Sequence, residues 1–146
     1  MLCYNVSTAK AQLGEIRRAA LDGHEVIITN TKNRNNNNQS VSVIASSLLD
    51  SIIEHGCKFS FMWTKEEGDE DYTLYVPEVD VFGVGQTKEA AIESLIDAVQ
   101  EYAELYFGDL RFYMSPTVHR ENHFGYLRRI IRCDGDFKRL RSVLGL

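Results

Sequence analysis

The sequence has 146 residues, of which 44% are hydrophobic and 25% charged, and its formal net charge is −5. This length accommodates one ordinary domain or two small ones, and the apolar content excludes a wholly disordered chain. No apolar stretch approaches the roughly 20 residues that span a bilayer, and the N-terminus lacks the layout of a signal peptide, so we expect no membrane partner and a cytoplasmic location.

The charge is unevenly distributed along the chain. Residues 1–55 carry five basic and five acidic side chains, residues 56–108 carry three basic and twelve acidic (net −9), and residues 109–146 carry eight basic and four acidic (net +4). Phosphate binding needs a positive surface, so the acidic segment excludes a nucleic-acid footprint over the whole protein but not a local one. Three widely spaced cysteines form no Cys-x-x-Cys pair, and we expect buried, reduced thiols at Cys3, Cys57 and Cys133.

The first segment predicts a strand, a helix, two strands and a second helix. Ser7 is predicted to cap a helix over residues 8–21, since serine is a favoured N-cap. Residues that fall on one face of this helix are Ala9, Leu13, Ile16 and Ala20. The flanking elements are predicted as strands over residues 2–6, 25–29 and 40–45 and a helix from Ser46 or Ser47 to about Glu54.

Two motifs of this segment resemble the Phd/YefM (prevent-host-death) antitoxin family in order and spacing: Val6-Ser7-Thr8-Ala9-Lys10-Ala11-Gln12-Leu13 and Gly23-His24-Glu25-Val26-Ile27-Ile28-Thr29. The resemblance implies a strand-helix-strand-strand-helix unit over residues 1–55 that forms a homodimer and binds operator DNA, with Thr8 and Lys10 at the DNA. Asn30 stands where the family usually has Arg or Lys, and an asparagine-rich insertion replaces the family's tight hairpin.

Positive side chains of the first segment are candidates for phosphate contact. Lys10 lies near the predicted start of the first helix, and Lys32 and Arg34 lie on the asparagine-rich tip, so each can neutralise a phosphate. A dimer would double this set. The alternative is that all three are ordinary solvated charges.

The middle segment predicts three strands and a long helix. Strands are predicted over residues 59–63, 72–76 and 81–84, and Thr87 is predicted to cap a helix that ends near Phe107. The predicted buried stripe of this helix consists of Ala91, Leu95, Ala98, Tyr102 and Leu105, widened by Ile92, Val99 and Tyr106.

Three motifs of this segment resemble the HicB antitoxin family over about residues 57–107: Tyr72-Thr73-Leu74-Tyr75-Val76-Pro77-Glu78, Gly83-Val84-Gly85-Gln86-Thr87 and Glu89-Ala90-Ala91. The resemblance implies that residues 56–108 contact a cognate toxin, a small basic RNA-cleaving protein. An acidic helix suits such a partner, because complementary potentials speed the encounter. We assign toxin binding to Glu93, Asp97, Glu101 and Glu104. The alternative is that these carboxylates are simply the solvated face of a helix.

Residues 109–146 predict a short basic helical tail. Ser115-Pro116 marks a break, and apolar spacing predicts one helix through Phe124, Leu127 and Ile131 and another through Phe137, Leu140 and Leu144. Three interpretations remain open: packing against the acidic middle segment, which needs no further component and is preferred, binding of nucleic acid, or contact with a partner.

Motifs of enzymes are incomplete. His119 and His123 are four residues apart, as in a zinc-protease helix, but the intervening glutamate is misplaced and Pro116 leaves little helix before them. The acidic run 66–71 adjoins a turn, whereas two-metal nuclease sites gather carboxylates from separate elements. We therefore expect no catalytic residues, metal or cofactor.

The sequence thus predicts an α+β protein with two units and a helical tail. Its predicted function is that of a type II antitoxin, which neutralises an RNA-cleaving toxin by protein–protein binding and represses its own operon by DNA binding. The alternatives are a transcriptional regulator without a toxin and, less favoured by the residues, a metal-dependent nuclease.

Overall fold

A computed structural model describes residues 1–30, 40–65 and 67–146. The chain divides into two compact units, Met1–Ile52 and Ile53–Leu146. Each unit builds its own three-stranded sheet, so the predicted α+β class is confirmed. Lys32, Arg34 and the asparagine-rich tip lie outside the described residues.

The first unit contains strands β1 (Leu2–Asn5), β2 (Val26–Thr29) and β3 (Ser40–Val43), and helices α1 (Val6–Ala11), α2 (Leu13–Leu21) and α3 (Ser46–Gly56). Strands β1 and β2 are parallel, and β3 pairs antiparallel with β2. Helices α1 and α2 form the crossover that a parallel pair requires. The buried core is small and consists of Ala9, Ile16 and Val26, with partly buried apolar neighbours.

Two predictions about the first helix are wrong. The N-cap is Asn5 rather than Ser7: its Oδ1 accepts a hydrogen bond from the Thr8 backbone N–H at 2.8 Å. The helix also breaks at Gln12, whose φ of −118° and ψ of 27° lie outside the helical region. Leu13, the first residue of α2, is 67% exposed and is not part of the predicted buried face, whereas Ile16 and Ala20 of that face are buried.

The second unit begins with an antiparallel sheet in the order β4 (Met62–Thr64), β5 (Tyr72–Val76) and β6 (Val81–Gly85). The prediction of a strand over residues 59–63 is wrong for its first half. Phe59 packs edge-on against Tyr126 at 5.3 Å between ring centroids, and the Ser60 backbone N–H donates to Glu78 at 2.9 Å. These contacts replace strand pairing before Met62.

Helix α4 (Lys88–Gly108) organises the second unit. Thr87 caps it as predicted, with its hydroxyl accepting from the Ala90 backbone N–H at 3.1 Å. The short helix α5 (Leu110–Tyr113) follows, and the tail forms α6 (Phe124–Ile131) and α7 (Phe137–Leu144). Apolar residues of both tail helices join the core of α4 and the sheet, so the preferred packing of the tail on the middle segment is confirmed.

Backbone contact between β6 and α4 is made possible by two glycines. A Cβ built on Gly83 would overlap the backbone of Ala91 and Leu95, and one built on Gly85 would lie 2.5 Å from the Ala91 nitrogen. The helix therefore rests directly on the strand. The glycine pair, which the sequence analysis used only as part of a motif, has this steric role.

The cysteines differ from the prediction in one case. Cys133 is buried and Cys57 half-buried, but Cys3 is exposed. Burial raises the pKa of the Cys57 and Cys133 thiols, which favours their protonated form.

We expect Gly83→Ala to destabilise the protein by about 1–3 kcal/mol or more, because the overlapped atoms belong to backbone that has no room to shift. Urea unfolding with matched m-values measures the change. The control is Gly108→Ala, since a Cβ there meets no atom within 4 Å. Equal stability of the two variants would contradict the steric role of Gly83.

Candidate functional site

The exposed side of α4 carries the four carboxylates that the sequence predicted to bind a toxin. Glu93, Asp97, Glu101 and Glu104 are all exposed, whereas Ala91, Leu95 and Val99 on the inner side are fully buried. We call these four residues the acidic row. The structure brings them onto one surface, and their binding role stays a prediction.

The acidic row forms no ion pair within the described part of the chain. Within residues 1–30, 40–65 and 67–146, no ion pair joins any of its four carboxylates to a cation, although Arg141 interacts electrostatically with Glu93. Gln100 donates a side-chain hydrogen bond to Glu104 at 3.2 Å. Like charges at spacings of three and four residues cost helix stability, about 0.2–0.5 kcal/mol per pair. The row is thus a concentrated negative surface.

Leu105 extends this surface rather than the core. The prediction that Leu105 belongs to the buried stripe is wrong, because it is 57% exposed. It follows Glu93, Asp97 and Glu101 at a constant spacing of four residues, which places it on the same side of the helix. Ile96 and Ala103 are buried in its stead. The acidic row therefore ends on an exposed apolar side chain.

Several positively charged side chains of the tail donate hydrogen bonds to other groups of the second unit. The Arg129 guanidinium donates to the Cys57 carbonyl at 2.7 Å, and Arg139 donates to the Arg132 carbonyl at 3.0 Å. Arg141 makes a two-pronged contact with Glu89, which lowers the pKa of that carboxyl through the hydrogen bond. These contacts hold α6 and α7 in place and leave fewer cations for nucleic acid.

Two of the four predicted DNA contacts, Thr8 and Lys10, lie on α1, and the other two, Lys32 and Arg34, lie outside the described residues. Lys10 is exposed in the last turn of this short helix, not near its start, because the helix begins at Val6. Thr8 is half-buried, and its backbone N–H is taken by Asn5. The exposed Lys10 ammonium can therefore contact a phosphate, whereas Thr8 can donate a hydrogen bond to a phosphate only through its hydroxyl.

An apolar groove on the first unit was missed by the sequence analysis. It lies between α2 and the end of β3, and its walls include Leu13, Ala20, Leu21, Val43 and Ala45. Leu13 and Leu21 are exposed there, and Val41 and Leu48 add further exposed apolar surface to the unit. Leu13 was expected on a buried face, but it is exposed at the first position of α2.

A polar cluster links the β5–β6 turn, α4 and the tail. His123 is 3% exposed, and its Nδ1 lies 2.8 Å from the Tyr102 hydroxyl. Arg120 lies 3.4 Å from the other ring nitrogen and 3.6 Å from an Asp80 carboxylate oxygen, and Asp80 accepts a hydrogen bond from Tyr75 at 2.9 Å. The cluster ties three elements together through side chains.

The neutral form of His123 fits this cluster. A guanidinium only donates, so Nε2 accepts from Arg120 and the ring proton sits on Nδ1, which donates to Tyr102. Burial, and then the nearby Arg120 charge, lower the pKa of His123, while Asp80 acts weakly in the opposite direction. His119, the other member of the pair considered for zinc, is exposed and lies 3.7 Å from Glu121.

The described residues form neither a metal-binding cluster nor a membrane-spanning helix. No group of three or more His, Cys, Asp or Glu side chains there is arranged to hold a metal ion. Across the same residues, no helix has both the length and the apolar character needed to cross a membrane.

Comparison with known proteins gives two findings. A profile of the family described as "PHD_like: Antitoxin of toxin-antitoxin, RelE / RelB, TA system" matches residues 1–144. A solved structure from Syntrophomonas wolfei subsp. wolfei, described as an antitoxin part of a candidate toxin/antitoxin system, is similar in fold. It has a TM-score of 0.73 and 16% identity, and the match covers 99% of this chain and 95% of that one. No match was found among curated proteins.

We expect stability to fall as the pH drops below about 6.5, the value for histidine in an unfolded chain. Because the folded protein holds the pKa of His123 lower, the unfolded chain binds a proton first, and stability present above that pH is lost as the pH falls through the folded value. Urea unfolding at several pH values between 7.5 and 5.5 measures this loss.

His123→Gln should flatten the pH dependence in that window, whereas His119→Gln, at an exposed position, should leave it as in the wild type. A wild-type pH dependence in His123→Gln would show that other groups control acid stability.

Proposed function

The chain belongs to this PHD-like family of antitoxins of toxin–antitoxin systems, and from that premise we propose that its two units divide the work of an antitoxin. The second unit binds and neutralises a small basic RNA-cleaving toxin through the acidic row. The first unit forms a homodimer that binds operator DNA through Lys10 and represses the operon.

The toxin half of this proposal rests on the acidic row, whose carboxylates pair with no cation among the described residues. An enzyme that cleaves RNA must attract phosphates, so its active surface is positive. A helix that displays Glu93, Asp97, Glu101 and Glu104 offers such a surface an alternative set of anions. Exposed Leu105 at the end of the row adds apolar surface that a partner can remove from water.

The small core of the first unit supports the dimer half. The core cluster of Ala9, Ile16 and Val26 is small for an independent fold, while Leu13 and Leu21 expose apolar surface around a groove. Apolar surface of this kind is stabilised when a second copy covers it. A two-fold dimer would present two copies of Lys10 to the two half-sites of an operator.

The double charge reversal Asp97→Lys with Glu101→Lys should weaken binding of the toxin encoded beside this chain at least tenfold at low salt. Most of the change should lie in the association rate, because opposite charges steer the encounter, and it should shrink at high salt. Surface plasmon resonance at two ionic strengths measures both effects.

The matched control reverses two exposed turn charges, Glu67→Lys with Glu70→Lys, and so makes the same change in net charge. Equal loss of affinity in both double variants would mean that net charge alone matters and that α4 is not the contact. Full toxin binding by the α4 variant would end the proposed role of the acidic row.

Lys10→Ala should weaken binding to DNA of the chain's own promoter and reduce the slope of log affinity against log salt by about one per site. Fluorescence anisotropy over a salt series measures the slope, and sedimentation checks that assembly is intact. Lys138→Ala, on the tail, is the control. Promoter binding that is identical in Lys10→Ala and wild type would remove Lys10 from the interface.

A further inference from the structure

One face of the β4–β6 sheet has no cover among the described residues. Side chains alternate between the faces of a sheet, so Phe82 and Val84 point away from α4 when Gly83 and Gly85 meet it. The strand register aligns Met62 with Tyr75 and Phe82, and Thr64 with Thr73 and Val84. We call these six residues the open face.

The open face is largely apolar, and none of its six side chains is charged at neutral pH. Phe82 is 59% exposed, Met62 and Val84 are also exposed, and the threonines complete a second row. The Tyr75 hydroxyl at its margin is already engaged with Asp80. Aromatic residues and methionine without charge form the composition found at the centre of protein interfaces.

The open face and the acidic row point in different directions. Helix α4 covers the opposite face of the sheet, with Ala91 and Leu95 against Gly83, and the acidic row lies on the exposed side of that helix. One partner seated on the acidic row is therefore separated from the open face by the helix and the sheet. Two separate surfaces of different chemistry fit two different partners.

The charge of each surface indicates which partner can bind there. Residues 53–146 carry eleven basic and seventeen acidic side chains, a net charge of −6, so two copies of this unit repel each other over most of their surface. A face without charged side chains is where two copies meet at the least electrostatic cost, since a two-fold contact brings the same patch of each copy together. A basic toxin gains attraction at the acidic row and none at the open face.

We propose that the open face is a self-association surface, which pairs with the same face of a second copy of this chain. Stable interfaces bury about 800 Å² on each partner, more than three short strands provide, so the contact is weak alone. It gains strength when a second contact tethers the same two copies, because tethering raises the effective concentration. That gain rests on the proposed dimer of the first unit, whereas the pairing of open faces does not.

Sedimentation equilibrium of the full chain from 1 to 500 µM tests the pairing. Phe82→Glu places a carboxylate on the open face of each copy, where the contact would bury it without a partner, and should weaken self-association at least tenfold. Leu105→Glu is the matched control, with 57% exposure on the other side of the unit, and should associate as the wild type does. Val84→Glu repeats the test at a second position, and circular dichroism confirms folding of each variant.

Two further measurements separate this proposal from the proposed function. Leu21→Glu disrupts the groove of the first unit, so its effect on assembly reports that contact alone. Toxin binding by Phe82→Glu should equal that of the wild type. A monomeric wild type at 500 µM, or equal association of Phe82→Glu and Leu105→Glu, overturns the pairing. Loss of toxin binding in Phe82→Glu with unchanged assembly assigns the open face to the toxin and also overturns it.

Discussion

The direct contact between the backbones of β6 and α4 is the constraint on which the second unit depends. Gly83 and Gly85 lack the Cβ atoms that would hold the helix away from the strand. With the helix seated there, its buried side is shared between the sheet and the tail helices. The surfaces that remain available are those this arrangement cannot cover, namely the outer side of α4 and the far face of the sheet.

The two units differ in the extent of their hydrophobic cores. The second unit encloses a continuous core in which α4 contacts the sheet, α6 and α7. Cations of the tail reinforce it through Arg129 and Arg141, so the basic third of the sequence serves the fold to a large extent. Among its described residues, the first unit has a small core around Ala9, Ile16 and Val26, and it displays exposed apolar side chains.

Regular periodicity and capping chemistry made much of the fold predictable. Helix α4 followed from Thr87 and from apolar spacing, and strands β5 and β6 followed from short apolar runs bounded by turn residues. Errors arose where a local break or a distant contact decided the outcome. Nothing in the sequence near Gln12 marks the break between α1 and α2, and Phe59 leaves the strand because Tyr126, far along the chain, packs against it.

The candidate surfaces were predictable to a different extent. Four carboxylates at helical spacing identified the acidic row, but Leu105 fitted the buried stripe equally well on spacing alone and is exposed because it lies on the outer side of α4, while neighbouring Ala103 and Tyr106 are buried. The open face could not be predicted from the sequence for a related reason. Alternation shows that a strand has two faces, yet only the register and the position of α4 decide which of them is covered.

The division of labour between the units is tested most directly by hydrogen–deuterium exchange of the full chain alone, with its toxin, and with its promoter DNA. Binding slows exchange where it stabilises the structure. The toxin should protect amides of α4, residues 88–108, and promoter DNA should protect residues 1–30. Protection of the first unit by the toxin with none on α4, or protection of the same unit by both ligands, would contradict the account.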